Sequence, residues 1–191
     1  MKGYRVWLDR VLNLVTAVVV VTALYLLATE RVIPALRGEP VRVAEGAKLP
    51  GSFQFELLGE AGRTGEATKI RVPGSRPALL LVFSSTCPAC YANLPAWREV
   101  IQTADGVPEV LAVGLEPDRL AALAYARQHL PAAVAVAPED SRRFVGTLGV
   151  DVVPFTALVD TGGIVQFLQQ GGLDSTAVSS LLRALGALTG S

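Results

Sequence analysis

The run Ala78-Leu79-Leu80-Leu81-Val82-Phe83 carries no polar side chain and is closed by Ser84. Upstream lies Pro73-Gly74-Ser75-Arg76-Pro77, a strong turn. A short apolar run between such breaks reads as a strand buried on both faces, and a strand of that kind requires a layer on each side of its sheet. The chain then alternates. Pro88–Ala104 places Leu94, Trp97 and Ile101 at helical spacing, with Pro95 expected to kink the helix. Val110–Leu115 reads as a strand, Pro117–Leu130 as a helix, Ala132–Ala137 as a strand and Asp140–Leu148 as a short helix. Phe155–Asp160 and Ile164–Gln169 are strands joined through Thr161-Gly162-Gly163, a hairpin signal. Asp174 is placed to cap a last helix, Ser175–Ala187. Before all of these, Ser52–Leu58 and Lys69–Val72 read as a strand pair, with Gly59, Gly62 and Gly65 between them. The order predicts an α/β sandwich with a mixed sheet.

The N-terminus is different in kind. Val11 to Ala28 contains no charged residue. As a helix it would rise about 27 Å, just enough to cross a bilayer core of roughly 30 Å. Trp7 and Tyr25 suit interfacial positions. Leu27-Ala28-Thr29-Glu30 is a poor cleavage site, so a retained signal anchor is expected rather than a removed leader. Lys2, Arg5 and Arg10 precede the span, and Arg31, Arg37, Arg42 and Lys48 follow it. That balance leaves the orientation open on the positive-inside rule. The expected layout is an N-terminal flank over 1–10, a transmembrane anchor over 11–29, a Pro/Gly-rich linker over 30–50 and a folded domain over 51–191.

Basic and acidic residues balance at 17 each, which gives no electrostatic case for nucleic acid. Both cysteines of the chain fall in Cys87-Pro88-Ala89-Cys90. A Cys-x-x-Cys where a strand meets a helix is the signature of a thiol–disulfide redox site. Tetrahedral zinc needs four ligands, and there is no second cysteine pair and no histidine besides His129. No metal site and no cofactor are expected. Cys87 sits where a helix N-cap belongs, and Pro88 occupies the first helical position, where its missing N–H costs nothing. Cysteines at helix N-termini are the activated ones, so Cys87 is the expected nucleophile. Cys90, one turn on and facing inward, would resolve the mixed disulfide.

A second segment, Gly149-Val150-Asp151-Val152-Val153-Pro154-Phe155, puts a proline at the start of a strand after two β-branched residues. With the CPAC motif after an apolar strand, Pro95 in the following helix, and the string Leu158-Val159-Asp160-Thr161-Gly162-Gly163-Ile164-Val165, it resembles the thioredoxin superfamily over roughly Leu49 to Leu188. The anchor, the extra strand pair and the insert around Pro117–Ala137 are similar to TlpA/ResA-like exported reductases. The string Ser84-Ser85-Thr86-Cys87-Pro88-Ala89-Cys90 is also similar to thioredoxin-like accessory proteins of methylamine utilisation. The resemblance implies a three-layer thioredoxin-like sandwich with an N-terminal β-hairpin extension, preceded by one transmembrane helix. It implies a cis Val153–Pro154 bond beside Cys87. Thr86, Pro88, Ala89, Val153 and Pro154 are then the substrate-binding residues, the Val153 backbone pairing with an extended substrate chain. Three positions depart from the pattern. Thr86 stands where thioredoxins usually have tryptophan, Leu81 where they have a buried aspartate, and Asn93 where ResA-like proteins have a glutamate. The acids that move the inner thiol's proton are therefore missing from their usual places.

The expected activity is thiol–disulfide exchange with exported proteins, the reducing direction favoured, on the extracytoplasmic side of the cell membrane. A membrane electron-transfer protein would be the redox partner. The alternatives are a disulfide-donating accessory protein for a periplasmic enzyme, a thiol peroxidase, and a copper metallochaperone. The peroxidase reading lacks its Pro-x-x-x-Thr-x-x-Cys pattern, because Leu80 and Ser84 occupy those positions. The copper reading suffers from the short cysteine spacing and from Met1 being the sole methionine.

Overall fold

The structure is a computed structural model that describes residues 13–23, 25, 42–61, 67–104 and 106–189. Residues 13–23 are helical, and Leu14, Val18, Val19 and Val21 on that helix are exposed. Among the described residues no helix is long and apolar enough to cross a membrane. The rest of the expected 11–29 span, both charged flanks as far as Arg37, and the first part of the expected linker lie outside the described residues.

The second unit, Val41–Ser191, holds the sheet. In chain order its elements are β1 Phe53–Ala61, β2 Ala67–Val72, β3 Ala78–Phe83, α1 Pro88–Ala92, α2 Leu94–Thr103, β4 Glu109–Gly114, α3 Arg119–His129, β5 Val134–Pro138, α4 Ser141–Leu148, β6 Phe155–Val159, β7 Val165–Gln170 and α5 Ser175–Thr189. The seven strands run β2-β1-β5-β4-β3-β6-β7. Strands β3, β4 and β5 are parallel, and β1, β2, β6 and β7 join in antiparallel pairs. The sheet is mixed and the N-terminal hairpin adds to its β5 side, as expected.

All six residues of β3 are buried. Leu79, Leu81 and Phe83 join the core under α1, α2, α3 and α5, while Ala78, Leu80 and Val82 join the core on the α4 side. This is the three-layer sandwich. On the α4 side, Phe144 is fully buried and meets Phe53 and Phe55 edge-on at centroid distances of 5.3 and 5.5 Å.

Helix starts follow local chemistry. Asp118 accepts from the Leu120 and Ala121 N–H groups, so α3 begins at Arg119 and not at Pro117. Asp140 caps α4 and Asp174 caps α5 in the same way; each such cap is worth about 1 kcal/mol. Helix α4 ends on Gly149 at φ +65°, a left-handed C-cap that glycine adopts without strain. The expected kink falls at Asn93, a single turn residue in right-handed helical conformation between α1 and α2, whose N–H still donates to Ala89 and whose carbonyl accepts from Trp97. Pro95 offers no N–H to carry the ladder through.

The linker expectation is corrected at its C-terminal end. Val43 and Leu49 are buried. The Val43 N–H donates to the Thr147 carbonyl, the Gly46 N–H to Val165, and the Val165 N–H to Ala47. Residues 42–50 therefore belong to the folded unit. Their proline and glycine content disguised two apolar side chains spaced to pack. Val72–Pro73 is a second cis bond, one that nothing in the sequence marked.

Phe144→Ala should cost about 3–5 kcal/mol in equilibrium denaturant unfolding, because it empties the centre of the α4-side core and strips two edge-on ring contacts. A loss under 1 kcal/mol would mean that this layer is not a packed core.

Candidate active site

Strand β3 ends at Phe83, and the chain turns through Ser84, Ser85 and Thr86 into Cys87. Cys87 is the N-cap of α1 in extended conformation, with Pro88 in the first turn. The Cys90 N–H donates to Cys87 Sγ at 3.3 Å. From the far side of the site, the Cys87 thiol donates to the Val153 carbonyl at 3.5 Å, across 66 residues of sequence. The Val153–Pro154 bond is cis. The two segments that the sequence singled out therefore meet at one sulfur.

Both cysteines are free thiols, but they are not equivalent. Cys87 is half-buried, whereas Cys90 has no exposed surface. Thr86, Pro88 and Ala89 are exposed beside Cys87, Val153 is half-buried and Pro154 is buried. Tyr91 and Val152 add large exposed apolar surface on the two segments. Burial pushes the Cys90 thiol up to about 12; its hydrogen bond with Cys87 and the charges of Cys87 and Glu116 add to this, and the Ser84 backbone amide opposes it.

The three departures from the thioredoxin pattern now have places. Leu81 lies fully buried opposite Thr156 in the β3–β6 ladder. The Thr156 hydroxyl accepts from Trp97 Nε1 at 2.9 Å, so the polar contact in this region is a closed pair. Asn93 is buried, and its side-chain carbonyl accepts the Leu173 N–H at 2.7 Å. It ties the kink between α1 and α2 to the turn before α5. Neither position offers an acid to Cys90. Thr86 pairs its hydroxyl with Ser84 Oγ at 3.3 Å, in place of a large aromatic shield.

One acidic residue escaped the sequence reading. Glu116 lies two residues past the end of β4 and is half-buried. Its Oε1 accepts from the Ser85 N–H at 2.9 Å, while Oε2 is shielded from solvent and meets no hydrogen-bond partner among the described residues. The signal that could have found it is topological. It follows the parallel strand next to β3, at the carboxyl end of the sheet where α/β sites gather. His129, the lone histidine, ends α3 half-buried against the rings of Tyr91 and Tyr125 at 5.2 and 4.8 Å. Tyr125 in turn stacks on Phe83 at 4.6 Å. The aromatic group walls the site between α1, α3 and the end of β3.

The difference between the thiols predicts their alkylation. Iodoacetamide should modify one cysteine per native reduced chain at neutral pH, at Cys87, and two in denaturant, read by intact mass. A raised thiol stays protonated and unreactive until pH climbs toward its own value, so Cys90 should resist at pH 8 as well. Equal labelling of both in the native chain would contradict this site.

No protein-family model matches the chain. Among solved structures it is similar to StoA from Bacillus subtilis, at 15% identity over 72% of this chain and 98% of that one, with a TM-score of 0.54. It is similar to the thioredoxin domain of a thiol-disulfide oxidoreductase from Bacteroides vulgatus, at 13% identity over 76% and 97% of the two chains, with a TM-score of 0.58. A secreted Mycobacterium tuberculosis disulfide oxidoreductase homologous to Escherichia coli DsbE matches at 14% identity over 71% and 96%, with a TM-score of 0.54. At these identities the likeness is one of architecture, and it agrees with the sheet order, the cis-proline loop and the strand-to-helix cysteine pair: the chain has the thioredoxin fold.

Proposed function

We propose that the protein is a membrane-anchored thiol–disulfide oxidoreductase that exchanges disulfides with exported proteins through Cys87 and Cys90. The contact of Cys87 Sγ with both the α1 N-terminus and the cis-proline loop carries this reading. An accessible thiol is held beside a backbone edge where an extended polypeptide could align.

In the reducing direction, Cys87 thiolate attacks a substrate disulfide. One Cys87–substrate S–S bond forms, the substrate's own S–S bond breaks, and one substrate sulfur leaves as thiolate. Cys90, deprotonated, then attacks Cys87 Sγ. The Cys87–Cys90 bond forms, the mixed disulfide breaks and the second substrate sulfur leaves. Two electrons have passed to the substrate, which takes up two protons, and a membrane electron-transfer protein would restore the dithiol. Oxidation runs the same steps backwards. Thr86, Pro88, Ala89 and Val153 form the substrate-facing surface around Cys87, and Pro154, next in the chain, is buried.

The uncharged stretch over 11–28 and the apolar, exposed side chains along 13–23 support an anchor. Exposed aliphatic surface of that kind is normally covered by lipid or protein. The folded unit is placed on the extracytoplasmic side by its resemblance to exported reductases.

The test is the reduction potential of the full chain in detergent, equilibrated against thiol buffers. A value near that of thioredoxin, about −270 mV, assigns a reductase with a membrane electron feed. A value near that of DsbA, about −120 mV, assigns a disulfide donor for an enzyme partner. Cys90→Ser should trap substrate proteins as mixed disulfides on non-reducing gels, and Cys87→Ser should trap none. Absence of any Cys87–Cys90 disulfide under oxidising buffers would overturn the activity. Release of the full chain from membranes by alkaline carbonate would overturn the anchor alone.

A further inference from the structure

Resolution of the mixed disulfide requires Cys90 to lose a proton in a place that disfavours its anion. Cys90 is sealed from solvent, and the two acid positions suggested by resemblance hold Leu81 and Asn93. The groups that face it are few. Cys87 faces it from the cap of α1, Tyr91 is the next residue, and the charges of Tyr125 on α3 and of Glu116 past the end of β4 bear on the same region. From the sheet come Leu79, Leu81 and Phe83, which share its core and cannot titrate. His129 touches the two tyrosines, and the Arg98 charge reaches Tyr125. Burial pushes Tyr125 ionisation upward, so it is no base near neutral pH.

Glu116 is held at the active-site turn. Ser85, in the turn that leads from β3 to Cys87, donates its backbone N–H to Glu116. That turn fixes one carboxylate oxygen and leaves the other without a partner. A shielded carboxylate oxygen with no hydrogen bond is costly to keep. Its retention beside the thiol is accounted for if the proton is its partner during turnover.

We propose that Glu116 is the proton relay of the buried thiol: its unpartnered Oε2 takes the Cys90 proton as Cys90 attacks Cys87, and returns it when the disulfide is reduced. The transfer runs through one intervening water. The Cys87–Cys90 bond forms, the mixed disulfide breaks, the substrate thiolate leaves with the electron pair, and the proton rests on the Glu116 carboxyl, from which Cys90 regains a proton when the disulfide is next reduced. The role rests on the dithiol chemistry proposed above.

The test uses the full chain in detergent and the chromogenic disulfide 5,5′-dithiobis(2-nitrobenzoate), read by stopped flow. The first coloured thiolate is released when Cys87 attacks, and the second when Cys90 displaces the mixed disulfide. Glu116→Gln keeps an acceptor for the Ser85 N–H and removes only the base. At pH 7 the rate constant of the second phase, divided by that of the first, should fall about 100-fold in E116Q, the low end of what a positioned base contributes. The second phase of the wild type should depend on pH less steeply than that of the variant. That of E116Q should rise about tenfold per pH unit as hydroxide takes over. An unchanged second phase in E116Q overturns the relay. Equal slowing of both phases also overturns it and makes Glu116 a support for the Ser84–Thr86 turn. A wild-type chain that releases the first thiolate and never the second fails earlier, at the Cys87–Cys90 disulfide itself.

Discussion

Strand β3 is the fixed point of this molecule. It lies between β4 and β6, and no side chain on it reaches solvent. Its leucines, valine and phenylalanine each contribute roughly 1.5–3 kcal/mol by leaving water, divided between two cores by simple alternation. The strand cannot slip by one residue without exchanging those faces. The turn that leaves its last residue and delivers Cys87 is therefore held to the same precision. The cis-proline loop is set by the same frame, since β6 pairs with β3 along its length. The two halves of the site meet because the strands that carry them are neighbours.

The dithiol inherits an asymmetry from that placement. Cys87 stands outside the last turn of core, where a helix end and a carbonyl meet its sulfur. Cys90 points back under the helix into apolar packing. The same burial that protects the second thiol from stray reagents makes its anion expensive. A buried thiol of this kind resolves a mixed disulfide quickly only with help in losing its proton. In this chain the usual core position is aliphatic and the usual helix position is an amide serving a turn. The carboxylate instead arrives from the neighbouring parallel strand. A core kept wholly apolar at Leu81, with the acid at its rim, avoids the cost of a buried charge in the sheet centre.

Much of this was legible in the residues. The continuous apolar run announced β3, the helical spacing of Leu94 and Trp97 announced the active-site helix, and glycines at Gly162 and Gly163 announced the closing hairpin. Each of those signals is local. The misses were long-range. Residues 42–50 read as linker because their own period is broken. Only the β6–β7 hairpin, more than a hundred residues on, gives Gly46, Ala47 and Leu49 their partners, Val165 for the first two and Gly163 for the third. Asn93 read as a departure from an acidic position, and its actual task is set by Leu173, distant in sequence. Glu116 sat in an unremarkable loop, and only the parallel pairing of β3 with β4 brings it to Ser85.

The segment 42–50 also solves a problem that the sheet order creates. Strand β7 ends the sheet, and a bare terminal strand offers unpaired backbone groups to any other chain. Here Val165 exchanges hydrogen bonds with Gly46 and Ala47, and the Leu168 N–H donates to the Glu45 carboxylate. Arg42 then forms a two-pronged pair with Asp151, in the loop that leads to Val153. That pair is largely exposed, at 68% and 55% for the two side chains, so it adds at most about 1 kcal/mol. Its value is positional. Val43, bonded to Thr147, and Arg42 hold the chain against Gly149, the left-handed residue that ends α4 and starts the cis-proline loop. The stretch that enters the domain from the N-terminal side is thus part of the scaffold for the substrate-facing loop, and it covers the sheet edge in the same pass.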